Sequence, residues 1–364
     1  MMTKKMVSKI FTKRLFNKSR RVLALMTSLL FAVEVFGGCS KTTGNISDEV
    51  QPNSSNEEVT TEEKTISVVT TIFPEYDWVR AIVGDNDNVE ITMLLDDGVD
   101  LHNYQPTAED IMKIATCDVF VYVGGESDEW VEDALAEATN QDMQVVNLLE
   151  ALGSSVKEEE IVEGMMAEEE REHEHEEGEE HEEGEVEYDE HAWLSLKNAQ
   201  VLVDAIAQAI QAVDSANADE YAANASAYIE ELSAMDESYQ QMIDAASVKT
   251  VLFGDRFPFR YLVDDYGLDY YAAFVGCSAE TEASFETITF LAEKVDELKL
   301  DTVFTIENSD QKIAQTIIEN TAGKDAQILT LDSLQSTTMA DVEAGVTYLS
   351  VMAGNLEVLT EALN

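Results

Sequence analysis

Basic side chains are scarce in this sequence. It has 22 lysine and arginine residues against 74 aspartate and glutamate residues, which leaves a net charge of −52. Such a charge excludes nucleic acid as a partner and favours solubility and cations. The sequence also lacks H-E-x-x-H, G-x-S-x-G and glycine-rich phosphate-loop motifs. We therefore expect a protein that is not an enzyme, since an extracellular metalloenzyme would need an open metal position beside a general base.

Cysteine is also rare, and the three residues present are Cys39, Cys117 and Cys277. This number and spacing give no disulfide framework. Cys117 starts the apolar run "CDVFVYV" and is predicted to pack in the core, whereas the environment of Cys277 stays open. Cys39 follows a basic segment and an apolar run over 22–36 that is too short for a comfortable membrane span. The alternatives are a cleaved secretory signal or an uncleaved anchor.

The remaining chain predicts an α/β fold with two lobes. Residues 1–38 read as the signal and 39–64, which are polar, as a disordered tether. Short β-branched runs alternate with amphipathic helices over 65–196 and again over 248–364, which predicts a four-stranded, mainly parallel sheet with flanking helices in each lobe. Two helices are predicted between the lobes over 197–247. The second, about thirty residues long, would form a rigid spine.

An acidic loop interrupts the first lobe over 157–190. Its central part, 168–190, contains fifteen acidic residues and three histidines, His173, His175 and His181. Because this segment has almost nothing to bury, we expect it to be mobile. Its imidazoles and carboxylates could collect zinc weakly. The alternative is a solvated charge run that only adds solubility.

Two further histidines, His102 and His191, are candidate metal ligands. His102 lies in "DDGVDLHNYQPTAED", after a predicted strand and before a helix with a capping box from Thr107 to Asp110. Ligands of open α/β sheets bind beyond the carboxyl ends of the strands. His191 stands where apolar order resumes, in "DEHAWLSLKNA", beside Trp193. Neutral imidazole suits zinc and also manganese or iron.

These segments resemble the zinc- and manganese-receptor solute-binding proteins of bacterial ABC importers. "IFPEYDWVRAIVGD" resembles the first strand–helix unit of that family, and "DSANADEYAANASAYIEELSAMD" its spine helix. The segments around His102 and His191 resemble the family's two histidine-ligand motifs, and an acidic histidine-containing insertion before the second is typical of the zinc-type members. The resemblance extends over 65–364. The "FGGCS" segment likewise resembles a lipoprotein signal, which implies lipidation of Cys39.

The resemblance implies further ligands from the second lobe, and here the chain departs from the family. In "LFGDRFPFRYL" an arginine, Arg256, falls where the family has histidine or glutamate. Asp255 is the nearest competent donor, and the alternative is that it caps a helix. Asp332 in "LTLDSL" matches the fourth family ligand, with a cap or turn role as the alternative. Glu307 matches a family glutamate that is a ligand or orients a histidine.

The function implied is an extracytoplasmic, high-affinity zinc receptor. It would capture Zn²⁺ between its lobes and deliver it to the permease and ATPase of an ABC importer, as a monomer held on the outer face of the cell membrane by lipid on Cys39. A manganese or iron receptor of the same fold is the alternative, because two histidines with carboxylates suit either kind of metal. An adhesive surface lipoprotein is a further alternative.

Overall fold

The computed structural model describes residues 65–166, 187–278 and 282–364. The predicted signal and tether, with Cys39, lie outside the described residues, as do His173, His175 and His181. Both sheets described below belong to one compact unit, Thr61–Asn364. In the described part of the chain, no helix is both long and apolar enough to cross a membrane.

The first sheet has four parallel strands in the order β2-β1-β3-β4. The strands are β1 (Ile66–Thr70), β2 (Val89–Met93), β3 (Val119–Tyr122) and β4 (Gln144–Asn147). The helices of this lobe are α1 (Phe73–Val83), α2 (Ala108–Thr116), α3 (Trp130–Ala136) and α4 (Leu148–Leu152). Helix α2 begins with the predicted capping box, in which Thr107 and Asp110 each bond the other's backbone N–H.

The second sheet repeats this topology in the order β6-β5-β7-β8, again with parallel strands. Its strands are β5 (Thr250–Phe257), β6 (Asp269–Val275), β7 (Thr302–Ile306) and β8 (Gln327–Leu331). Its helices are α7 (Arg260–Tyr266), α8 (Phe285–Leu298), α9 (Lys312–Asn320), α10 (Met339–Glu343) and α11 (Tyr348–Leu363), of which α11 ends the chain. Every residue of β7 is buried, as expected for a parallel strand covered on both faces.

Two long helices follow the first sheet in the chain and precede the second, α5 (Leu196–Val213) and α6 (Ala218–Ala245). Helix α6 has 28 residues and forms the predicted spine. Its buried Tyr239 donates a hydrogen bond of 2.6 Å to the carbonyl of Met352 in α11. The ring of Tyr348, at the start of α11, packs edge-on against Trp78 of α1 with 5.3 Å between centroids. The C-terminal helix thus ties the second lobe to the first.

Both ends of the segment 157–190, which is predicted to be a mobile loop, form backbone pairs in the structure. Residues 157–166 run beside β6, where the Met166 N–H donates to Ala273 O at 3.0 Å. Residues 187–190 pair back onto this stretch through a bridge between Glu158 and Tyr188. We call 157–166 and 187–190 together the stem. These hydrogen bonds satisfy backbone N–H and C=O groups of the stem, and the charge pattern of the sequence does not predict their partners.

Candidate metal centre

His102 lies in a short 3₁₀ turn, Leu101–Asn103, beyond the carboxyl end of β2. Asp100 caps this turn, and its Oδ1 accepts a hydrogen bond of 3.1 Å from the His102 N–H. Burial and the neighbouring His191 imidazole hold the pKa of His102 well below its usual range. The ring is therefore neutral at physiological pH and offers a nitrogen lone pair.

His191 is fully buried at the end of the stem and directly precedes the turn Ala192–Leu194. Its ring lies 5.2 Å from that of Trp193, centroid to centroid. The Trp193 indole N–H donates a hydrogen bond of 2.9 Å to the carbonyl of Ser333, at the carboxyl end of β8. The second lobe therefore fixes the tryptophan that packs on His191.

The two imidazoles converge. Nε2 of His102 lies 3.2 Å from Nε2 of His191. Two nitrogens bound to zinc at about 2.0–2.1 Å and separated by this distance subtend about 100° at the ion, close to the tetrahedral angle. The pair therefore has the spacing that a shared zinc ion requires.

Carboxylates on the far side of each ring favour the tautomer that can bind a cation. The Asp189 carboxylate Oδ1 lies 3.0 Å from His191 Nδ1, so Nδ1 carries the proton and donates it. Nδ1 of His102 lies 2.7 Å from Ser127 Oγ and 3.4 Å from Oε2 of buried Glu190, an oxygen with no hydrogen bond of its own. With Nδ1 protonated in both rings, both Nε2 lone pairs are available to a cation bound between them, which would replace the direct 3.2 Å contact of the two nitrogens. This is the arrangement of a metal site with supporting carboxylates.

A third candidate donor, Cys277, was not among the ligands predicted from the sequence. In the described part of the chain, one group of three potential metal-binding side chains occurs, and it consists of His102, His191 and Cys277. The donor atoms lie within 4.8 Å of one another. Burial, together with the Asp189 carboxylate, raises the pKa of the Cys277 thiol well above its usual range, so the side chain is a neutral thiol when no cation is bound. No motif around "VGCSAE" distinguished this cysteine, although its position after a strand was a usable signal.

Asp255 does not belong to this group and has other partners. One of its oxygens accepts from the Arg256 N–H at 2.9 Å, and the other lies 3.5 Å from the N–H of Ile306. It lines a separate cavity of about 230 Å³ together with Asp310. The alternative that it caps a helix is wrong, because Asp255 lies within β5 and α7 begins later, with Phe259 as its N-cap.

Arg256, which the resemblance places where the family has histidine or glutamate, forms a half-buried ion pair with Asp100 of the first lobe. The Arg256 guanidinium cannot bind a metal, but its partner caps the turn that carries His102. The residue thus joins the lobes beside the histidine pair by a different interaction.

Glu307 and Asp332 also lie outside the three-residue group. Both Glu307 oxygens accept from Ser333, at 2.7 Å from its N–H and 2.7 Å from its hydroxyl. Because the Ser333 carbonyl accepts from Trp193, Glu307 supports the His191 environment indirectly. Asp332 accepts a 2.8 Å bond from the Leu334 N–H, and burial beside Glu307 raises the pKa of Asp332 to about 6.

Two lobes of like topology, with imidazoles from one meeting a thiol from the other, define a two-lobed solute-binding protein. The chain belongs to the ZnuA family, described as zinc-uptake complex component A, periplasmic, whose model matches residues 68–362.

Individual relatives agree with this assignment. The zinc-binding lipoprotein AdcA of Streptococcus pneumoniae is 34% identical over 298 residues, which cover 81% of this chain and 55% of that protein. The high-affinity zinc uptake system protein ZnuA of Bacillus subtilis is 30% identical, covering 82% of this chain and 88% of that one. The Zn(II)-bound ZnuA-like domain of pneumococcal AdcA superposes with a TM-score of 0.63 at 28% identity, covering 82% and 99%. The chain spans about half the length of the AdcA proteins.

Proposed function

We propose that this protein is a high-affinity zinc receptor that binds Zn²⁺ between its lobes and is not an enzyme. The observation that carries the proposal is the 3.2 Å approach of the two Nε2 atoms of His102 and His191. Each ring has a buried carboxylate, Asp189 or Glu190, near its other nitrogen. Zinc accepts such a mixed site, whereas manganese prefers carboxylate, carbonyl and water oxygens.

The partner and location follow from the family. One relative is named a zinc-binding lipoprotein and another a high-affinity zinc uptake system protein. We infer that this chain acts outside the cytoplasm and passes zinc to the permease and ATPase of an ABC importer. Lipid on Cys39 would hold it at the outer face of the membrane, where capture and delivery occur close together. The acidic segment with His173, His175 and His181 would raise the local zinc concentration by weak, exchanging contacts.

The second-lobe carboxylates complete the proposal. With two histidines as ligands, a tetrahedral ion needs two more donors. Asp332, at the carboxyl end of β8, remains the carboxylate candidate for one of them. Asp255 and Glu307 bind neighbouring protein groups and are proposed as supports of the site.

The test is zinc binding by the purified full chain, with competition by a chelator of known affinity and by manganese. His102→Ala and His191→Ala should each weaken the tight site by more than the 10–100-fold typical of losing an outer partner. A triple His173→Ala, His175→Ala, His181→Ala variant is the matched control, because it removes histidines other than His102 and His191 and should keep the tight site. Wild-type affinity in both single variants would refute the proposed site. Turnover of a test ester or peptide that required zinc would refute the exclusion of an enzyme.

A further inference from the structure

The third ligand of the proposed zinc site is missing from its family position, and the structure offers a replacement elsewhere. The Arg256 side chain at that position forms an ion pair with Asp100, and the carboxylate of the adjacent Asp255 accepts from a backbone N–H group. Cys277 lies instead in the turn that follows β6. Because the strands of each sheet are parallel, their carboxyl ends meet at one edge, which brings this turn to the histidine pair.

Gly276 permits the close approach of this turn to His191. A Cβ atom on residue 276 would lie 3.0 Å from His191 Cε1 and 3.1 Å from Nδ1, which is tighter than ordinary van der Waals contact. The absence of a side chain therefore lets the backbone before Cys277 pack directly on the imidazole. The next residue, Cys277, belongs to the group of three side chains whose donor atoms lie within 4.8 Å of one another.

The stem fixes the other side of the turn. The Cys277 N–H donates to Glu159 Oε1 at 3.4 Å, and Met166 pairs with the strand β6 that leads into the turn. The same stem carries His191 at its end. The two paired segments of the stem thus position both the first-lobe histidine and the second-lobe cysteine.

We propose that Cys277 is a second-lobe ligand of the zinc site and binds the ion as a thiolate. The inference rests on the proposed function and names a ligand that the family motif does not supply. On binding, a zinc–sulfur bond forms as the S–H bond breaks, and the proton leaves to solvent. In a tetrahedral site a sulfur at about 2.3 Å and a nitrogen at about 2.0 Å from zinc lie about 3.5 Å apart. The donor atoms of the three side chains lie within 4.8 Å of one another, so coordination requires the sulfur to move closer to the ring nitrogens.

A thiolate ligand has a consequence for metal choice. Soft sulfur ligands favour zinc, whereas manganese favours hard oxygen ligands. Cys277 therefore acts as a specificity-determining residue, which strengthens zinc binding and rejects manganese. Its replacement by serine should weaken zinc far more than manganese.

Cobalt(II) substitution of the full chain tests the proposal. Tetrahedral cobalt bound by sulfur shows an intense thiolate-to-metal charge-transfer band in the near ultraviolet in addition to its visible ligand-field bands. We expect both in the wild type, and loss of the charge-transfer band with retained visible bands in Cys277→Ser. Cys117→Ala is the matched control, because Cys117 is buried in the first lobe and is not in the donor group. Cys39→Ser serves the same purpose for the remaining cysteine.

The outcomes separate this inference from the proposed function. Visible bands without a sulfur band in the wild type, or a sulfur band that survives in Cys277→Ser, would overturn the cysteine ligand and leave the histidine site intact. If cobalt and zinc both fail to bind the folded wild type tightly, the proposed function itself fails. Zinc affinity should fall by more than about 100-fold in Cys277→Ser, since loss of an outer partner alone costs 10–100-fold. An unchanged zinc-to-manganese affinity ratio in this variant would also count against the proposal.

Discussion

Replacement of Asp189 by asparagine should weaken zinc binding without unfolding the protein. The Asp189 carboxylate is buried and accepts from both the backbone N–H and Nδ1 of His191, at 2.9 and 3.0 Å. It fixes the proton on Nδ1 and leaves Nε2 free for the metal. An asparagine amide can instead donate to Nδ1, which moves the ring proton to Nε2 and blocks the lone pair.

The expected loss follows from the position of Asp189 behind a proposed ligand. Outer-sphere partners of this kind typically contribute 10–100-fold to metal affinity, or about 1.4–2.8 kcal/mol. Zinc competition with a fluorescent chelator gives the affinity, and circular dichroism confirms folding. Asp118→Asn is the matched control, since Asp118 is also buried but accepts from the Ser67 N–H at the opposite end of the first sheet. Equal zinc affinity in Asp189→Asn and wild type would refute the assignment of the His191 tautomer.

Three further predictions test other parts of the structure. Burial raises the pKa of Asp128 to about 7, so between about pH 4 and that value the folded protein holds a proton that the unfolded chain has released. The free energy of unfolding should therefore fall with rising pH in this window, and Asp128→Asn should flatten the fall; identical pH profiles in urea unfolding would contradict this. Arg256→Ala should lower the free energy of unfolding of the metal-free protein by about 1–3 kcal/mol. A double-mutant cycle with Asp100→Asn should show a coupling energy between the two residues, whereas purely additive effects would exclude a stabilising ion pair between the lobes. Deletion of 168–186, which spares the stem, should keep one tight zinc site and remove weaker ones in equilibrium dialysis; loss of the tight site would place a ligand in the deleted segment.

Sequence pattern was sufficient for the architecture. Short β-branched runs that alternate with amphipathic helices predicted two parallel four-stranded sheets, and the structure confirms them. Signals of this kind are local, because side-chain periodicity and capping report on neighbours a few residues apart. The capping box from Thr107 to Asp110 and the 28-residue spine helix are examples, because both were predicted from residues that are close to one another in the sequence.

Sequence motifs also selected His102 and His191 for one site, and the structure brings their Nε2 atoms to 3.2 Å. Their metal-binding role stays a prediction. What could not be obtained from the motifs was the contribution of the second lobe. Asp255 matched by position, yet the geometry of β5 turns its oxygens to backbone N–H groups, including that of Ile306 on the neighbouring strand.

The tertiary structure alone decided that Cys277 joins the histidines. The three residues are separated by 89 and 86 positions in the chain, and no periodicity or short motif reports on contacts at such distances. They meet because the carboxyl ends of parallel strands converge in the cleft and because Gly276 lets its turn pack on His191. The ion pair of Arg256 with Asp100 depends on the same packing of one lobe against the other. Local chemistry in the sequence thus determined the secondary-structure elements and two candidate donors, whereas the packing of one lobe against the other determined which side chains lie opposite these donors.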